Sequence, residues 1–412
     1  MEILYNSCCG IDVHSQKLVA CLIKNGKREI RSFSTMTADL LRMLDWLVDN
    51  DCSHVAIEST GVYWKPIFNI LEGHLEVVLV NARHIKSVPG RKTDVKDSEW
   101  LADCLRHGLL QPSFIPPRHI RDLRELTRYR SSLIKERGSV ANRIQKIAES
   151  GNIKLSEIVS DALGESSKAM LRSLAAGETD TLKMSDLARG RLRRKMPQLQ
   201  LALEGRLTQA QRWVLAELLT RYEELEAAIK KAEEKIRQQV EDSPDPFVGE
   251  AIAYLDTIVG VGEKVAQVIV SEIGVSMEQF PTAEHLASWA GMCPGNNESA
   301  GKRKSGKTTK GSKYLRAALV QAAWAASRKK ESYLASQFQR LARRRGKKKA
   351  AVAVGHSILV IAYHVLKRRE SYKELGGDYF ERKNVEGRKR RLIRELESLG
   401  LRVKVEEIGE VA

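Results

Sequence analysis

Four acidic residues mark the points where the residue pattern of the N-terminal part of the chain changes. Asp12 and Glu58 each end a short apolar run typical of a buried strand. Asp94 and Asp97 lie three positions apart where a helical pattern begins, a spacing that puts both side chains on one helix face. Carboxylates brought together repel one another, and such a cluster is stable mainly when hard divalent cations such as Mg²⁺ lie between them. The sequence therefore predicts that strand ends and a helix start converge on a metal site suited to phosphodiester chemistry.

Residues 8 to 110 alternate between strand and helix patterns. The segments CCGIDV, KLVACLIKN and REIRSFST are typical of three successive strands, with Asn25-Gly26 as a hairpin turn between the last two. A helix, a strand, a helix, a strand and a further helix beginning near Val95 follow. This order predicts a mixed sheet in an α/β layer arrangement, in which Asp12 and Glu58 can lie on adjacent strands.

The charge of the chain points to a polyanionic partner. The sequence has 69 Lys plus Arg against 52 Asp plus Glu, a formal net charge of +17 and a pI of about 9.6. The N-terminus lacks the pattern of a signal peptide, and the longest apolar stretch, Ala350 to Leu366, is shorter than a typical membrane span and contains polar residues. We expect a buried helix there, no membrane partner, and nucleic acid as the first candidate ligand.

The cysteines and histidines give no sign of a metal or disulfide framework. The six cysteines form no C-x-x-C pair and no repeated spacing, which fits a reducing cytoplasm. Four histidines lie near the acids in sequence, but without a shared helical spacing we interpret them as ordinary surface or core residues. They are His14, His54, His84 and His107.

Two long helical segments occupy the middle of the chain. In the first, from Ile120 to Ile147, apolar residues recur every seven positions, and in the second, from Leu215 to Ile236, they follow a three-four spacing. Both are typical of coiled coils. Heptads alone do not distinguish an antiparallel hairpin within one chain from a contact between two chains. Pro244 and Pro246 end the second segment and open a further domain.

That further domain begins with two apolar helices joined by a Gly-Val-Gly turn. The segment resembles a helix-hairpin-helix, which grips the nucleic-acid backbone without reading sequence, and Gly260, Gly262 and Lys264 are the expected contacts. An ordinary tight helical hairpin is the alternative.

A glycine-rich basic loop, GMCPGNNESAGKRKSGKTTKGSKYLR, follows and ends where another helix starts. Backbone amides, side-chain charge and the helix dipole can together hold phosphates in such a loop. The residues expected to contact nucleic acid here are Lys302, Arg303, Lys304, Lys307, Lys310, Lys313 and Arg316. An oriented serine can attack phosphorus, but spacing alone singles out none of the hydroxyls.

Taken together, these motifs resemble the DEDD transposases of the IS110 family of bacterial insertion sequences, whose better-studied members are guided by a bridge RNA. The resemblance is carried by IDVHSQ, AIESTGVYW, KTDVKDSEWLADCLRHG, IRDLRELTRYR and the basic loop. It implies an α/β RuvC-like domain of the RNase H class at 1–118 and a helical coiled-coil region at 119–243. A mainly α C-terminal transposase domain at 247–370, with the helix-hairpin-helix and the serine loop, and a basic tail at 371–412 complete the implied architecture.

The same resemblance implies the chemistry. Asp12, Glu58, Asp94 and Asp97 would bind Mg²⁺ or Mn²⁺, and Ser299, with Ser305 as the fallback, would be the nucleophile of a transesterification that needs no ATP. Donor and target DNA, a bridge RNA and assembly into a dimer or tetramer are implied, in the bacterial cytoplasm at the nucleoid.

Two other functions are compatible with parts of this sequence. A RuvC-like nuclease that hydrolyses DNA with water would need the acids but not Ser299. A non-catalytic nucleic-acid-binding scaffold is disfavoured because all four acids are present.

Overall fold

The computed structural model describes residues 2–59, 61–81, 97–295, 297–299, 302–383 and 385–404. The chain forms two compact units, Met1–Ile115 and Pro116–Ala412. The division of the second unit at 243 and 370 stays a prediction.

The N-terminal unit is a mixed α/β layer structure, as the sequence predicts. Its elements are β1 (Ser7–Val13), β2 (Lys17–Lys24), β3 (Lys27–Ser34), α1 (Thr37–Asp49), β4 (His54–Glu58), α2 (Trp64–Leu71), β5 (Glu76–Val80) and α3 (Asp97–Arg106). The five strands are ordered β3-β2-β1-β4-β5. β2 pairs antiparallel with both β1 and β3, whereas β4 pairs parallel with both β1 and β5. The mixed sheet is therefore confirmed.

The hairpin between β2 and β3 forms for the reason that the sequence indicates. Asn25 and Gly26 both have positive φ, 50° and 81°, as a two-residue type I′ turn requires. β3 is the edge strand and mostly exposed, whereas β1 and β4 lie in the centre and are largely buried. Strands covered on both faces carry continuous apolar runs, which is why both were recognisable from the sequence.

Helices cover the two faces of the sheet differently. Cys9, Ile11 and Val13 pack in one apolar core with α1 and α2, while Cys8 packs on the opposite face with α3. Because successive strand residues point to opposite faces, Asp12 is in phase with Cys8 and belongs to the α3 face.

The C-terminal unit is mostly helical. It contains α4 (Arg118–Ser150), α5 (Leu155–Ile158), α6 (Glu165–Ala175), α7 (Thr181–Asp186), α8 (Met196–Ala202), α9 (Gln209–Glu241), α10 (Phe247–Asp256), α11 (Glu263–Ile273), α12 (Ala283–Trp289), β6 (Asn297–Ser299), β7 (Lys302–Ser305), α13 (Lys313–Ala326), α14 (Tyr333–Arg345), α15 (Lys347–Arg368), α16 (Tyr379–Lys383) and α17 (Val385–Ser398). A 3₁₀ turn, Gly190–Lys195, precedes α8.

The two long helices, α4 and α9, pack against each other within the chain. Gln211 donates to Ser150 Oγ at 3.0 Å and Arg221 donates to Glu136 at 2.7 Å, so the helices run antiparallel. The buried face of α9 follows the predicted heptads with one difference. Leu218, which has the three-four spacing, is only partly buried, and its neighbour Leu219 is buried instead.

Helix α15 carries the longest apolar stretch. Within the described ranges it is the one helix whose length and composition would allow it to cross a membrane. Its apolar residues, among them Val354, Ile358 and Leu359, are buried, and it packs against α13 and α14. A core helix passes the same length and composition test.

Candidate active site

Asp12 and Glu58 lie at the carboxyl ends of neighbouring parallel strands. The last residues paired between β1 and β4 are Ile11 and Ile57, so that the next position on each strand is an acid. Both acids are partly buried. This is the edge of an open α/β sheet at which ligands are usually bound.

Helix α3 crosses the same face because of Gly10, two residues before Asp12. A Cβ atom at Gly10 would lie 2.3 Å from the carbonyl oxygen of Ser98 and 2.4 Å from the backbone nitrogen of Ala102. Only glycine therefore lets the helix backbone approach the strand this closely. The first turn of α3 lies over the face to which Asp12 belongs, and Asp97 is the first residue of that helix. Asp94 lies outside the described residues.

The three described acids offer oxygen ligands of the kind that Mg²⁺ prefers. Asp12 Oδ2 is 3.3 Å from Nε2 of His14, whose side chain is 58% exposed. Within the described residues, no three His, Cys, Asp or Glu side chains come close enough to hold an ion together. Ser98, next to Asp97, is buried and its hydroxyl has no hydrogen-bond partner in this part of the structure, which is unusual for a buried polar group. The donor chemistry fits a hard divalent cation.

The predicted basic loop contains a short antiparallel ribbon, β6–β7. Ser299 pairs with Lys302 at the far end of the ribbon, and Asn297 pairs with Ser305 near its base. For Ser299, Ser305, Lys302, Arg303 and Lys304 the structure describes the backbone only. The base is closed by a bridge between Pro294 and Thr308 and by the amide of Gly295, which donates to the carbonyl of Lys307 at 2.8 Å.

Two residues anchor the chain just after the ribbon. Arg316, predicted to contact nucleic acid, donates to the carbonyl oxygens of Gly291 and Thr309, the latter at 2.6 Å. Ser312 accepts from the amide of Leu315 as the N-cap of α13. Lys310 and Lys313 are exposed, and the Lys313 ammonium lies 5.1 Å from the centre of the Tyr314 ring.

Ser312 also contacts a buried ionic network that the sequence reasoning missed. It donates to Glu272, which is 1% exposed and accepts two hydrogen bonds from Arg128, at 2.7 and 2.9 Å. Arg124 donates to the carbonyls of Ser271 and Glu272, and burial lowers its pKa to about 10. The two arginines lie one helical turn apart in IRDLRELTRYR. This spacing places both side chains on one helix face, and it is the sequence feature from which the network could have been predicted.

The predicted helix-hairpin-helix segment is formed by α10, a turn and α11. Gly260 has a φ of +85°, and a Cβ atom there would lie 2.4 Å from the carbonyl oxygen of Ala322 on α13. Lys264 forms an ion pair with Glu233 of α9. Gly262 is exposed with no atom near its Cβ position, and α11 begins with Glu263. Of the three predicted contacts, Gly260 is packed against α13, whereas Gly262 and Lys264 are exposed.

Two family models match the chain. Residues 9–151 match the model of the DEDD transposases of IS110, and residues 252–339 match the model described as the Transposase IS116/IS110/IS902 family. The first range contains Asp12, Glu58, Asp94 and Asp97, and the second contains Ser299. Together the two ranges cover more than half of the 412 residues. No curated protein matches the chain.

Proposed function

The chain belongs to the IS110 family of transposases, and we propose that it excises and integrates DNA by serine-mediated transesterification under the guidance of a bridge RNA. As a transposase, it acts on DNA and belongs to the enzymes that cut and rejoin DNA strands. The serine, the metal tetrad and the RNA are the parts that we add to this family assignment.

In the proposed reaction, Ser299 Oγ loses its proton and attacks a DNA phosphorus. A phosphoserine bond forms, the bond from phosphorus to the 3′ oxygen breaks, and that oxygen leaves as a 3′ hydroxyl. A 3′ hydroxyl of another strand then attacks the phosphoserine, which restores a phosphodiester and releases the serine. The number of phosphoester bonds is unchanged in each step, so no ATP is needed.

Asp12, Glu58, Asp94 and Asp97 are proposed to hold Mg²⁺ or Mn²⁺. A divalent cation bound there would stabilise negative charge on the attacking and leaving oxygens. The acids and Ser299 belong to different units of the chain, so the proposal requires them to meet, within one chain or across a dimer or tetramer. Reacting atoms must approach within about 3 to 3.5 Å.

The observation that carries the proposal is the register of β1 and β4. It leaves Asp12 and Glu58 on adjacent strands, each one position beyond the last pair, while α3 begins with Asp97 over the same sheet face. We further propose that the N-terminal unit is a RuvC-like domain of the RNase H class, that α4 and α9 form a coiled coil used in assembly, and that α10 and α11 form a helix-hairpin-helix.

A covalent adduct assay tests the nucleophile. Wild-type protein incubated with end-labelled duplex DNA containing the element's ends and with its RNA should give a band of protein-linked DNA on a denaturing gel. Ser299→Ala should lose this band while keeping its DNA affinity, whereas the matched Ser305→Ala should keep both. A band that survives in Ser299→Ala and disappears in Ser305→Ala moves the role to Ser305. DNA cleavage with no adduct in the wild type supports the water-dependent nuclease instead.

A second experiment tests the metal. Asp12→Asn and removal of divalent cations by a chelator should each abolish strand transfer, with DNA binding nearly unchanged, because the carboxylates are needed for the ion and not for the phosphate contacts. Strand transfer by Asp12→Asn at the wild-type rate would contradict the assignment. Sequencing the RNA that co-purifies with wild-type protein tests the guide.

A further inference from the structure

A groove in the C-terminal unit is not used by the proposed chemistry. We call it the basic groove, a cavity of about 1110 Å³ between the chain after β7, the end of α14 and the first half of α15. It is lined by residues that lie just before β6 and just after β7 and by residues of α14 and α15. Its volume is slightly above the range of about 300 to 1,000 Å³ that is usual for ligand pockets.

The rim of the basic groove is positively charged. Arg345, Lys348 and Lys349 lie where α14 ends and α15 begins, and none of the three has an acidic partner among the described residues. Lys307 contributes a fourth cation from the chain after β7. The described lining contains no Asp or Glu. Because Arg345, Lys348 and Lys349 are not neutralised by such a partner, they favour an anionic ligand at this rim.

The floor of the basic groove is apolar. Met292, Pro294, Leu341, Val352 and Ala353 line it. An apolar lining beside these cations does not suit a simple anion such as phosphate, which has no apolar surface to bury. It suits a ligand with an apolar body and a charged edge.

Hydrogen-bonding groups lie beside this floor. Gln337 Nε2 donates to Ser357 Oγ at 2.9 Å, whereas Gln337 Oε1 is buried without a hydrogen-bond partner in the described structure. Burial lowers the pKa of His356, which keeps its imidazole neutral and able to donate or accept at neutral pH. His356 is only partly buried and lines the basic groove, so its imidazole can hydrogen-bond the edge of a ligand.

We propose that the basic groove binds an unpaired nucleotide of a nucleic-acid strand, with the base on the apolar floor and the flanking phosphates at the rim. The ring face buries apolar surface, the ring edge hydrogen-bonds His356, and the phosphates meet Arg345, Lys348 and Lys349. Bases within a duplex are stacked and cannot enter such a groove, so the strand must be single or its nucleotide turned out.

The basic groove is lined by residues that are next to the ribbon in the chain. Gly306, Lys307 and Thr308 follow β7 directly, and β7 pairs with the strand that carries Ser299. A strand held in the basic groove would therefore be held on the segment that closes the base of the ribbon. This inference rests on the proposed function only in taking nucleic acid as the ligand.

The test compares the affinity of the full chain for three fluorescent probes: single-stranded DNA, single-stranded RNA of the same sequence, and duplex DNA. Val352→Trp fills the floor without changing charge and should weaken single-strand binding about tenfold, the order of one lost base-stacking contact, with duplex affinity nearly unchanged. An abasic site within the probe should weaken wild-type binding but not binding by Val352→Trp. The tighter of the two single strands identifies the source of the nucleotide.

Charge variants give a matched second measurement in case Val352→Trp misfolds. Arg345→Gln with Lys349→Gln should weaken single-strand binding more than Arg343→Gln with Arg344→Gln, which removes the same charge from the same basic run outside the groove. Equal losses in the two pairs, or no effect of the abasic site, overturn the inference while the DNA adduct of the wild type still stands. A wild type that forms no adduct but shows these differences would leave the groove in place and remove the serine mechanism.

Discussion

Gly10 sets how closely helix α3 can approach the strand that carries Asp12. Because its Cβ position overlaps backbone atoms of Ser98 and Ala102, Gly10→Ala must push α3 away from β1. We expect a loss of about 2–3 kcal/mol in the free energy of unfolding of the N-terminal unit, the range of an overpacked core, and loss of strand transfer. Urea denaturation monitored by circular dichroism measures the first and a strand-transfer assay the second.

Gly138 provides the control for Gly10. It lies exposed within α4, and a Cβ atom there meets nothing within 4 Å. Gly138→Ala should stabilise the chain by about 0.5–1 kcal/mol, since glycine is unfavourable in a helix interior. A Gly10→Ala variant as stable as the wild type would show that α3 is not held against β1 in this way.

The buried thiols of the N-terminal unit predict a pH dependence. Burial raises the pKa of Cys8, Cys21 and Cys104 from 9.0 to about 11, so the folded state keeps protons that the unfolded state releases. Their contribution to stability is therefore complete below pH 9 and is lost as the pH rises from 9 towards 11. Unfolding curves across this range should show a steeper decline for the wild type than for Cys21→Ala with Cys104→Ala. Parallel declines would mean that other groups dominate.

Single residues also show what a sequence can predict. Asp12 and Glu58 were recognisable because buried central strands carry apolar runs, and Asn25-Gly26 because its turn needs two residues with positive φ. Gly260 gave no such signal for its close approach to α13, since the partner backbone is more than sixty residues away in sequence. Contacts of this kind depend on the tertiary fold and not on local pattern.

Helices α4, α11 and α13 are joined by the contacts of Glu272. Its carboxylate accepts from Arg128 of α4 and from Ser312, the N-cap of α13. Glu272→Gln removes the charge that compensates Arg128 and should cost about 3 kcal/mol, the low end for breaking a buried pair, because Arg128 is partly exposed. Thermal unfolding of the two proteins measures the difference.

The paired substitution tests whether the loss comes from the uncompensated charge. Arg128→Met combined with Glu272→Met replaces the ion pair by apolar side chains, an exchange that is often neutral, and should recover much of the stability. If the double variant is as unstable as Glu272→Gln, the loss does not come from the uncompensated charge of Arg128. Because Ser312 follows the ribbon that bears Ser299, both variants should also be assayed for adduct formation.

The sequence did not predict the structure or the packing of elements whose contacts are with residues far away in the chain. The basic segment was predicted as a loop, and its ribbon forms because Pro294 and Thr308 meet at the base, a pairing that residue type does not reveal. The heptads of α4 and α9 left an intramolecular hairpin and a contact between chains equally open. The antiparallel packing of the two helices within one chain shows the first arrangement.

For the molecule as a whole, part of the net charge of +17 lies in separate basic runs. The contribution of each run to DNA affinity can therefore be measured separately. One basic run lies at the junction of α14 and α15, and another, Arg388 to Arg391, lies in α17. Each phosphate that a protein neutralises releases counterions, so the logarithm of duplex affinity falls with the logarithm of salt concentration by about 0.9 per contact.

We expect the full chain to behave as a multi-contact DNA binder of this kind. With six to ten phosphate contacts, duplex affinity should fall about 10³- to 10⁵-fold between 50 and 200 mM salt. Truncation after residue 384 removes the second basic run and should make this slope shallower without changing adduct formation, since neither the acids nor Ser299 are affected. Anisotropy titrations at several salt concentrations give the slopes. An unchanged slope would mean that α17 does not contact the phosphates, and that the contacts come from the rest of the chain.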